Sequence, residues 1–95
     1  MKPETVIHAI EQVVGVPKDK WNGGPCMTGK EWKARGEAYG HTAVLVVCHD
    51  GGLLAPYFSY DYECYSMMEK MSTALEAIGA WAEPCTSWYT AIYKV

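Results

Sequence analysis

The chain has 95 residues, the length of one domain, so residues 1–95 are predicted to share a single hydrophobic core. With 49% hydrophobic and 20% charged residues, the composition excludes a disordered tail, a collagen-like chain and a coiled-coil rod. The formal net charge is −3, whereas duplex-binding domains are normally basic, so we expect no nucleic-acid partner. The longest apolar run, residues 43–48, is too short for a membrane span, and no apolar signal segment follows Met1. We therefore expect a cytoplasmic protein with no membrane partner.

Hydrophobic spacing in the N-terminal part predicts one clear helix and one short helix. Apolar residues three and four positions apart predict a helix over 4–14, which Gly15 ends. The segment 28–31, Thr-Gly-Lys-Glu, has the pattern of a capping box, in which two side chains satisfy the first free N–H groups of a helix. A second helix is therefore expected over 29–38.

The rest of the chain predicts a β-hairpin, a long helix and a last strand. Residues 42–49 are dense in valine and form the clearest strand. The Asp-Gly-Gly segment 50–52 supplies the positive backbone angles of a tight turn, which returns the chain as a strand over 53–60. Apolar residues step by four and three along 62–82, and this spacing predicts a long amphipathic helix. Residue types alternate with a period of two along 87–95, and this alternation predicts the last strand.

This order of elements, α-(α)-β-β-α-β, predicts an α+β fold. We expect a small two-layer sandwich in which a three-stranded, mostly antiparallel sheet carries the helices on one face. The last strand is expected to lie beside the first. Because the first strand is apolar on both faces, it is predicted to be central in the sheet.

The sequence contains no recognisable catalytic or metal-binding constellation. The four cysteines are 22, 16 and 21 positions apart, whereas a structural zinc site places two cysteines within a few residues of each other. Cys48 and His49 are neighbours, but adjacent residues of a strand point to opposite faces, so their side chains are not expected to pair. We predict no catalytic residue, no metal and no cofactor. A cysteine-dependent enzyme is the least favoured alternative.

One glycine-rich segment gives a second functional hypothesis, the binding of a small ligand. Residues 24–30 match the G-x-x-x-x-G-K part of a phosphate-binding loop, but Glu31 stands where a Ser or Thr holds magnesium. The glycines and the predicted helix start still suit an anionic or nucleotide-like ligand that is bound without being hydrolysed. The residues assigned to this alternative lie within 22–30: Asn22, Gly24, Thr28 and Lys30.

The aromatic composition favours a different function, the binding of another protein. Seven Tyr and four Trp stand against one Phe, and Tyr and Trp are enriched at interfaces, where one end of the ring is dry and the other wet. Inhibitors, immunity proteins and phage-encoded antagonists of host defence are often this small and act by covering part of another protein. We expect this chain to act in the same way, as a non-enzymatic module that occludes a partner.

Strand alternation locates the expected binding surface. Thr90 and Lys94 are poor core residues, so their face of the last strand is expected to point away from the helices. The predicted partner-binding residues lie on this outer face and at the end of the hairpin: Tyr57, Trp88, Ile92, Lys94, His49 and Asp50. A homodimer through the outer sheet face is the alternative that buries the same residues.

Overall fold

The computed structural model describes all 95 residues, which form four α-helices and four strands. The helices are α1 (Pro3–Val14), α2 (Gly29–Ala34), α3 (Ala55–Phe58) and α4 (Tyr65–Ala77). The strands are β1 (Cys26–Met27), β2 (Leu45–Cys48), β3 (Ala80–Pro84) and β4 (Tyr89–Lys94). Short 3-10 turns cover Lys18–Lys20 and Tyr60–Tyr62. None of the helices combines the length and the apolar composition that crossing a bilayer requires.

The four strands form one antiparallel sheet with the order β1-β2-β4-β3. Leu45 lies opposite Ile92 and Cys48 lies opposite Tyr89, so the last strand pairs with the valine-rich strand as predicted. The α+β class is therefore confirmed. The predicted three-stranded sheet was wrong in its membership, because β1 and β3 belong to the sheet and the segment 53–60 does not.

The segment 53–60 forms a helical turn instead of the predicted hairpin strand. β2 already has a neighbour on each side, β1 and β4, so no free edge of β2 is left for a hairpin partner. Pro56 lies in the first turn of α3, where its missing N–H is not needed. Leu54 and Phe58 are four residues apart, and both side chains are buried in the core.

The helix predicted over 62–82 is shorter in the structure because a glycine ends it. α4 stops at Ala77, and Gly79 follows with a φ of +77°, the left-handed conformation that ends many helices. The chain then reverses into β3, which the sequence pattern had assigned to the helix. Within α4 the predicted apolar stripe is confirmed at Met71 and Leu75, whose side chains are fully buried.

Helices cover both faces of the sheet, which corrects the predicted two-layer arrangement with all helices on one face. We call one side the three-helix face, where α1, α3 and α4 pack with Leu45, Val47 and Ile92 in the main core. On the opposite side, the Trp32 face, the fully buried indole of α2 packs with Val46 in a second core cluster. The sheet is therefore the middle layer of the fold.

α2 is only six residues long, and its first turn is fixed by a cap and a close contact. The Glu31 N–H donates to the Thr28 hydroxyl at 3.1 Å and the Thr28 N–H donates to the Glu31 carboxylate at 2.9 Å, so the predicted capping box is confirmed. A β-carbon at Gly29 would lie 2.6 Å from backbone atoms of Ala43, so only glycine fits there. The start of α2 is thus held against the segment that enters β2. Trp32, three residues after Gly29, then packs on the sheet. α2 ends before residue 38, the predicted limit.

We expect Leu75→Ala to lower the free energy of unfolding by about 2–5 kcal/mol, because Leu75 is fully buried and its truncation leaves a cavity under the three-helix face. Leu53 provides the matched control, since its side chain is 40% exposed, and Leu53→Ala should change stability by less than about 0.5 kcal/mol. Urea unfolding of both variants and the parent measures the two effects. A loss below about 1 kcal/mol for Leu75→Ala would contradict its core position.

Candidate functional site

The residues predicted to bind a partner do not meet on one surface. Ile92, Thr90 and His49 are all buried on the three-helix side, so the predicted outward direction of this face of β4 was wrong. Thr90 is tolerated in the core because its hydroxyl is hydrogen-bonded to Nε2 of His49 at 2.9 Å. Lys94 is tolerated because it is the last residue of β4 and its side chain is exposed to solvent.

The other predicted contact residues lie on different sides of the molecule. Trp88 is half-buried and packs on the Trp32 face, with its ring centroid 5.9 Å from that of Trp32. Tyr57 is half-buried on α3 and packs against the core of the three-helix face. Asp50 is exposed in the turn that follows β2. These three side chains do not form a common patch.

His49 is a structural side chain in the core of the three-helix face. Its side chain is 1% exposed, its ring stacks on Phe58 at 5.8 Å between centroids, and Nδ1 has no hydrogen-bond partner in the protein. Burial lowers the pKa of His49 to about 4, so the ring is neutral at pH 7. Cys48 packs on the Trp32 face, which confirms the prediction that Cys48 and His49 point to opposite faces.

The four cysteines are free thiols. Cys26 of β1 lies opposite Val47, the residue before Cys48 in β2. Burial raises the pKa of both Cys26 and Cys48 to about 11, which keeps these thiols protonated and weakly nucleophilic at neutral pH. No group of three or more His, Cys, Asp or Glu side chains is placed so that it could hold a metal ion.

The segment 22–30 contains β1 and the start of α2, and parts of it pack closely against the end of β2. Gly23 lies so close to β2 that a β-carbon there would be 2.5 Å from Cα of His49. The Thr28 hydroxyl and N–H are both engaged in the capping box with Glu31. The other residues of the ligand-binding alternative are exposed: Asn22, Gly24 and Lys30. An anion at the start of α2 would have to compete with the Glu31 carboxylate, so the geometry does not favour this alternative.

A groove opens where α3, α4 and β3 meet. Eleven residues line a volume of about 260 Å³, and eight of them are hydrophobic. Two rings at its rim are largely exposed: the exposed fraction is 62% for Tyr60 and 61% for Tyr65. Exposed aromatic rings around one apolar depression mark binding surfaces, so we take this feature, the aromatic groove, as the candidate functional site.

The α4 wall of the aromatic groove is one face of the helix. Tyr65, Met68, Glu69 and Ser72 line the groove at spacings of three and four residues, which places them above one another on the helix surface. This stripe lies beside the buried stripe of α4, so the same helix closes the core and builds the groove. The opposite wall is β3, where Ala82 packs on the three-helix side. The Trp81 ring lies on the other face of the sheet, stacked on its cross-strand neighbour Tyr93 with 5.0 Å between the ring centroids.

β3 is an edge strand, and part of its backbone is free. At one end of the β3-β4 ladder the Val95 N–H donates to the Gly79 carbonyl at 2.9 Å. At the other end the Cys85 N–H donates to the Tyr89 carbonyl at 3.1 Å. Hydrogen-bonded pairs alternate along an antiparallel ladder, so Ala82 occupies a position whose N–H and C=O point away from β4. Ala82 lines the groove, which therefore has an unpaired donor and acceptor on one wall.

The charge of the aromatic groove is one-sided. Glu69 is the one charged residue among those that line it, and no Lys, Arg or His does so. The surrounding sequence is acidic as well, because residues 36–95 contain two lysines against seven Asp and Glu residues. The groove is thus an apolar site with one negative charge and no positive charge among its lining residues.

No known protein family, curated protein or solved structure matches this chain. The assignment of function therefore depends on the groove and its surroundings.

Sequence reasoning assigned Tyr57 to the binding surface but missed the other rings of the groove. One signal was present, since four of the seven tyrosines fall within the nine residues 57–65. A second signal was Gly79, which ends α4 and so places Trp81 on a strand instead of a helix.

The stability of the protein is expected to fall in mild acid because of His49. Its folded pKa of about 4 lies below the ordinary value of 6.5, so between these values the unfolded chain binds a proton that the folded chain does not. The contribution of neutral His49 is complete above pH 6.5 and is lost as the pH falls toward 4. It should amount to about 2 kcal/mol between pH 7 and pH 5.

Urea unfolding of the parent and of His49→Gln at both pH values isolates this contribution, because carboxylate titration affects both proteins alike. The advantage of the parent over His49→Gln should shrink by about 2 kcal/mol from pH 7 to pH 5. A difference that does not depend on pH would contradict the burial of a neutral His49.

Alkylation by iodoacetamide at neutral pH should be slow at Cys26 and Cys48. A rise in pKa from 9.0 to about 11 lowers the thiolate fraction by roughly a hundredfold. Mass spectrometry of native and urea-unfolded protein, with Cys26→Ala and Cys48→Ala to assign the adducts, compares the rates. Native rates equal to the unfolded rates would show that these thiols are not protected by the fold.

Proposed function

We propose that the protein is a non-catalytic binding module that acts by engaging and covering another protein through the aromatic groove. The observation that carries this proposal is the exposure of Tyr60 and Tyr65 around an apolar depression beside a free strand edge. Rings of this kind that become buried on binding typically contribute 2 kcal/mol or more each when truncated. Small inhibitors and immunity proteins act by such coverage, and this is the class of function that we propose.

The size of the groove favours a protein segment over a free small molecule. Its volume of about 260 Å³ is below the roughly 300–1,000 Å³ of ordinary small-molecule pockets. Such a space takes one or two side chains of a partner, while the rest of the partner lies over the exposed rings. The 62% exposure of Tyr60 shows how open the rim is.

The free edge of β3 favours an extended partner segment. The N–H and C=O of Ala82 are available to pair with such a segment, and edge strands commonly recruit peptides in this way. Pro84 has no N–H, so β3 offers few backbone donors and does not present a long edge prone to aggregation. The binding energy is therefore expected to come mainly from side chains in the groove, which makes binding selective.

The buried ionisable groups support a binding role over cysteine chemistry. The thiols of Cys26 and Cys48 have raised pKa values because of burial, and the pKa of His49 is lowered by the same cause. His49 and Cys48 also point to opposite faces of the sheet. A nucleophile with its base in contact is the minimum for such catalysis, and these residues do not provide it.

Truncating one ring of the groove should abolish most of the binding without affecting the fold. Linear peptides selected from a displayed library on the immobilised protein serve as probes, and their affinity is measured by calorimetry with synthetic peptide. We expect Tyr65→Ser to weaken binding at least about tenfold, as for an anchor residue. Tyr39→Ser is the matched control, since Tyr39 is 59% exposed and does not line the groove, and it should leave affinity unchanged. All variants should melt within a few degrees of the parent.

Trp88→Ala distinguishes the groove from the surface predicted by strand alternation. If Trp88→Ala weakens peptide binding and Tyr65→Ser does not, binding belongs to the Trp32 face and the proposal is wrong. Sedimentation equilibrium of the parent and of Tyr65→Ser tests the remaining occupant, a second copy of the chain. A stable dimer that Tyr65→Ser dissociates would likewise overturn the proposal.

A further inference from the structure

We propose that the aromatic groove selects an arginine side chain of its partner, a specificity that rests on the binding function proposed above. Three features point to this group: a rim of exposed aromatic rings, one carboxylate among them, and no cation of the protein's own. Aromatic rings attract cations through the negative potential of their faces.

The carboxylate and one of the rings are placed to act on the same group. Tyr65 and Glu69 are four residues apart on α4, so their side chains are neighbours on successive turns of the helix. Both side chains line the groove. A cation above the Tyr65 ring therefore has the Glu69 carboxylate beside it. The neighbouring base, Lys70, does not line the groove and makes no salt bridge with Glu69.

The chain already contains the proposed arrangement once, within its own structure. On the Trp32 face, Cζ of Arg35 lies 5.1 Å from the centroid of the Trp32 ring. Nε of the same guanidinium lies 3.2 Å from the Glu37 carboxylate. A ring, a carboxylate and an arginine thus form one unit there, whereas the groove has rings and a carboxylate but no arginine. The partner would supply the missing member.

Arginine fits this site better than lysine does. The planar guanidinium stacks on a ring and still presents its N–H groups to a carboxylate, and it is more weakly hydrated than an ammonium group. The apolar stem of an arginine also suits Met68, which lines the groove one helical turn from Tyr65. In a groove as open as this one, an ammonium group would keep more of its water.

The test uses the full chain, labelled with nitrogen-15, and three short acetylated peptides of Thr, Ser and Val. The peptides differ at one central position, which is arginine, lysine or citrulline, the neutral isostere of arginine. Titration is followed by NMR at the Ala82 and Met68 amides, which belong to opposite walls of the groove. We expect the arginine peptide to bind about five- to tenfold more tightly than the citrulline peptide, the combined effect of a cation–π contact and a surface ion pair. The lysine peptide should lie between them.

Two protein variants assign the preference to the groove. Glu69→Gln should bring the arginine and citrulline peptides to within about twofold of each other, because the surface ion pair is removed and the cation–π contact alone is small at an exposed site. Lys70→Gln, a charge change on the adjacent exposed residue, should leave the ratio unchanged or slightly raised.

Each outcome separates the arginine proposal from the binding proposal. If the arginine and citrulline peptides shift the Ala82 amide at equal affinity, the groove binds extended segments but does not select arginine, and only the present proposal is overturned. If none of the peptides shifts the Ala82 and Met68 signals, the groove is not a peptide site and both proposals are overturned. A preference that survives Glu69→Gln intact would also overturn the assignment to this carboxylate.

Discussion

Burial of β2 on both of its faces is the constraint on which the rest of the structure depends. All four of its residues, Leu45–Cys48, are at most 3% exposed, so each face of the sheet needs its own cover. Three helices supply the cover on one face. On the other face the cover is a six-residue helix that brings a single large side chain, Trp32, onto the sheet. Because α2 is so short, the far side of this face stays partly open, with Trp81 stacked on Tyr93 at the β3 edge.

The aromatic groove lies on the three-helix side, where α3 and α4 meet the edge strand β3. Met71 and Leu75 fix α4 against the core, and the adjacent stripe of the same helix is then free to carry residues that contribute little to stability. Tyr60 and Tyr65 are about three-fifths exposed, so the folded state gains little from burying them. Large apolar rings at such positions add aggregation risk without adding stability, and a binding role gives them a physical reason. Pro84 limits the same risk on the neighbouring strand edge.

The sequence predicted the elements whose pattern is local and failed where tertiary contacts decide. α1, the capping box of α2, β2 and β4 follow from spacing and capping within a few residues. The segment 53–60 has a strand-like composition, but β1 and β4 occupy both sides of β2, and no local signal reports this. Thr90 was interpreted as an exposed residue because of its hydroxyl, whereas a hydrogen bond to His49, 41 positions away, makes it a core residue. The groove was missed because three separate segments build it, two of which had been assigned the wrong secondary structure.

Charge contributes little to the stability of this fold, which leaves charged groups free to serve recognition. The structure contains one salt bridge, between Arg35 and Glu37, and Arg35 is 44% exposed there. A surface pair of this kind contributes about 0–1 kcal/mol, far less than the burial of Trp32 or of β2. Glu69 makes no ion pair within the chain, so its charge has no internal partner whose loss would destabilise the fold. The Glu69 carboxylate is therefore available to a partner of the groove, which is the condition that the proposed selection of arginine requires.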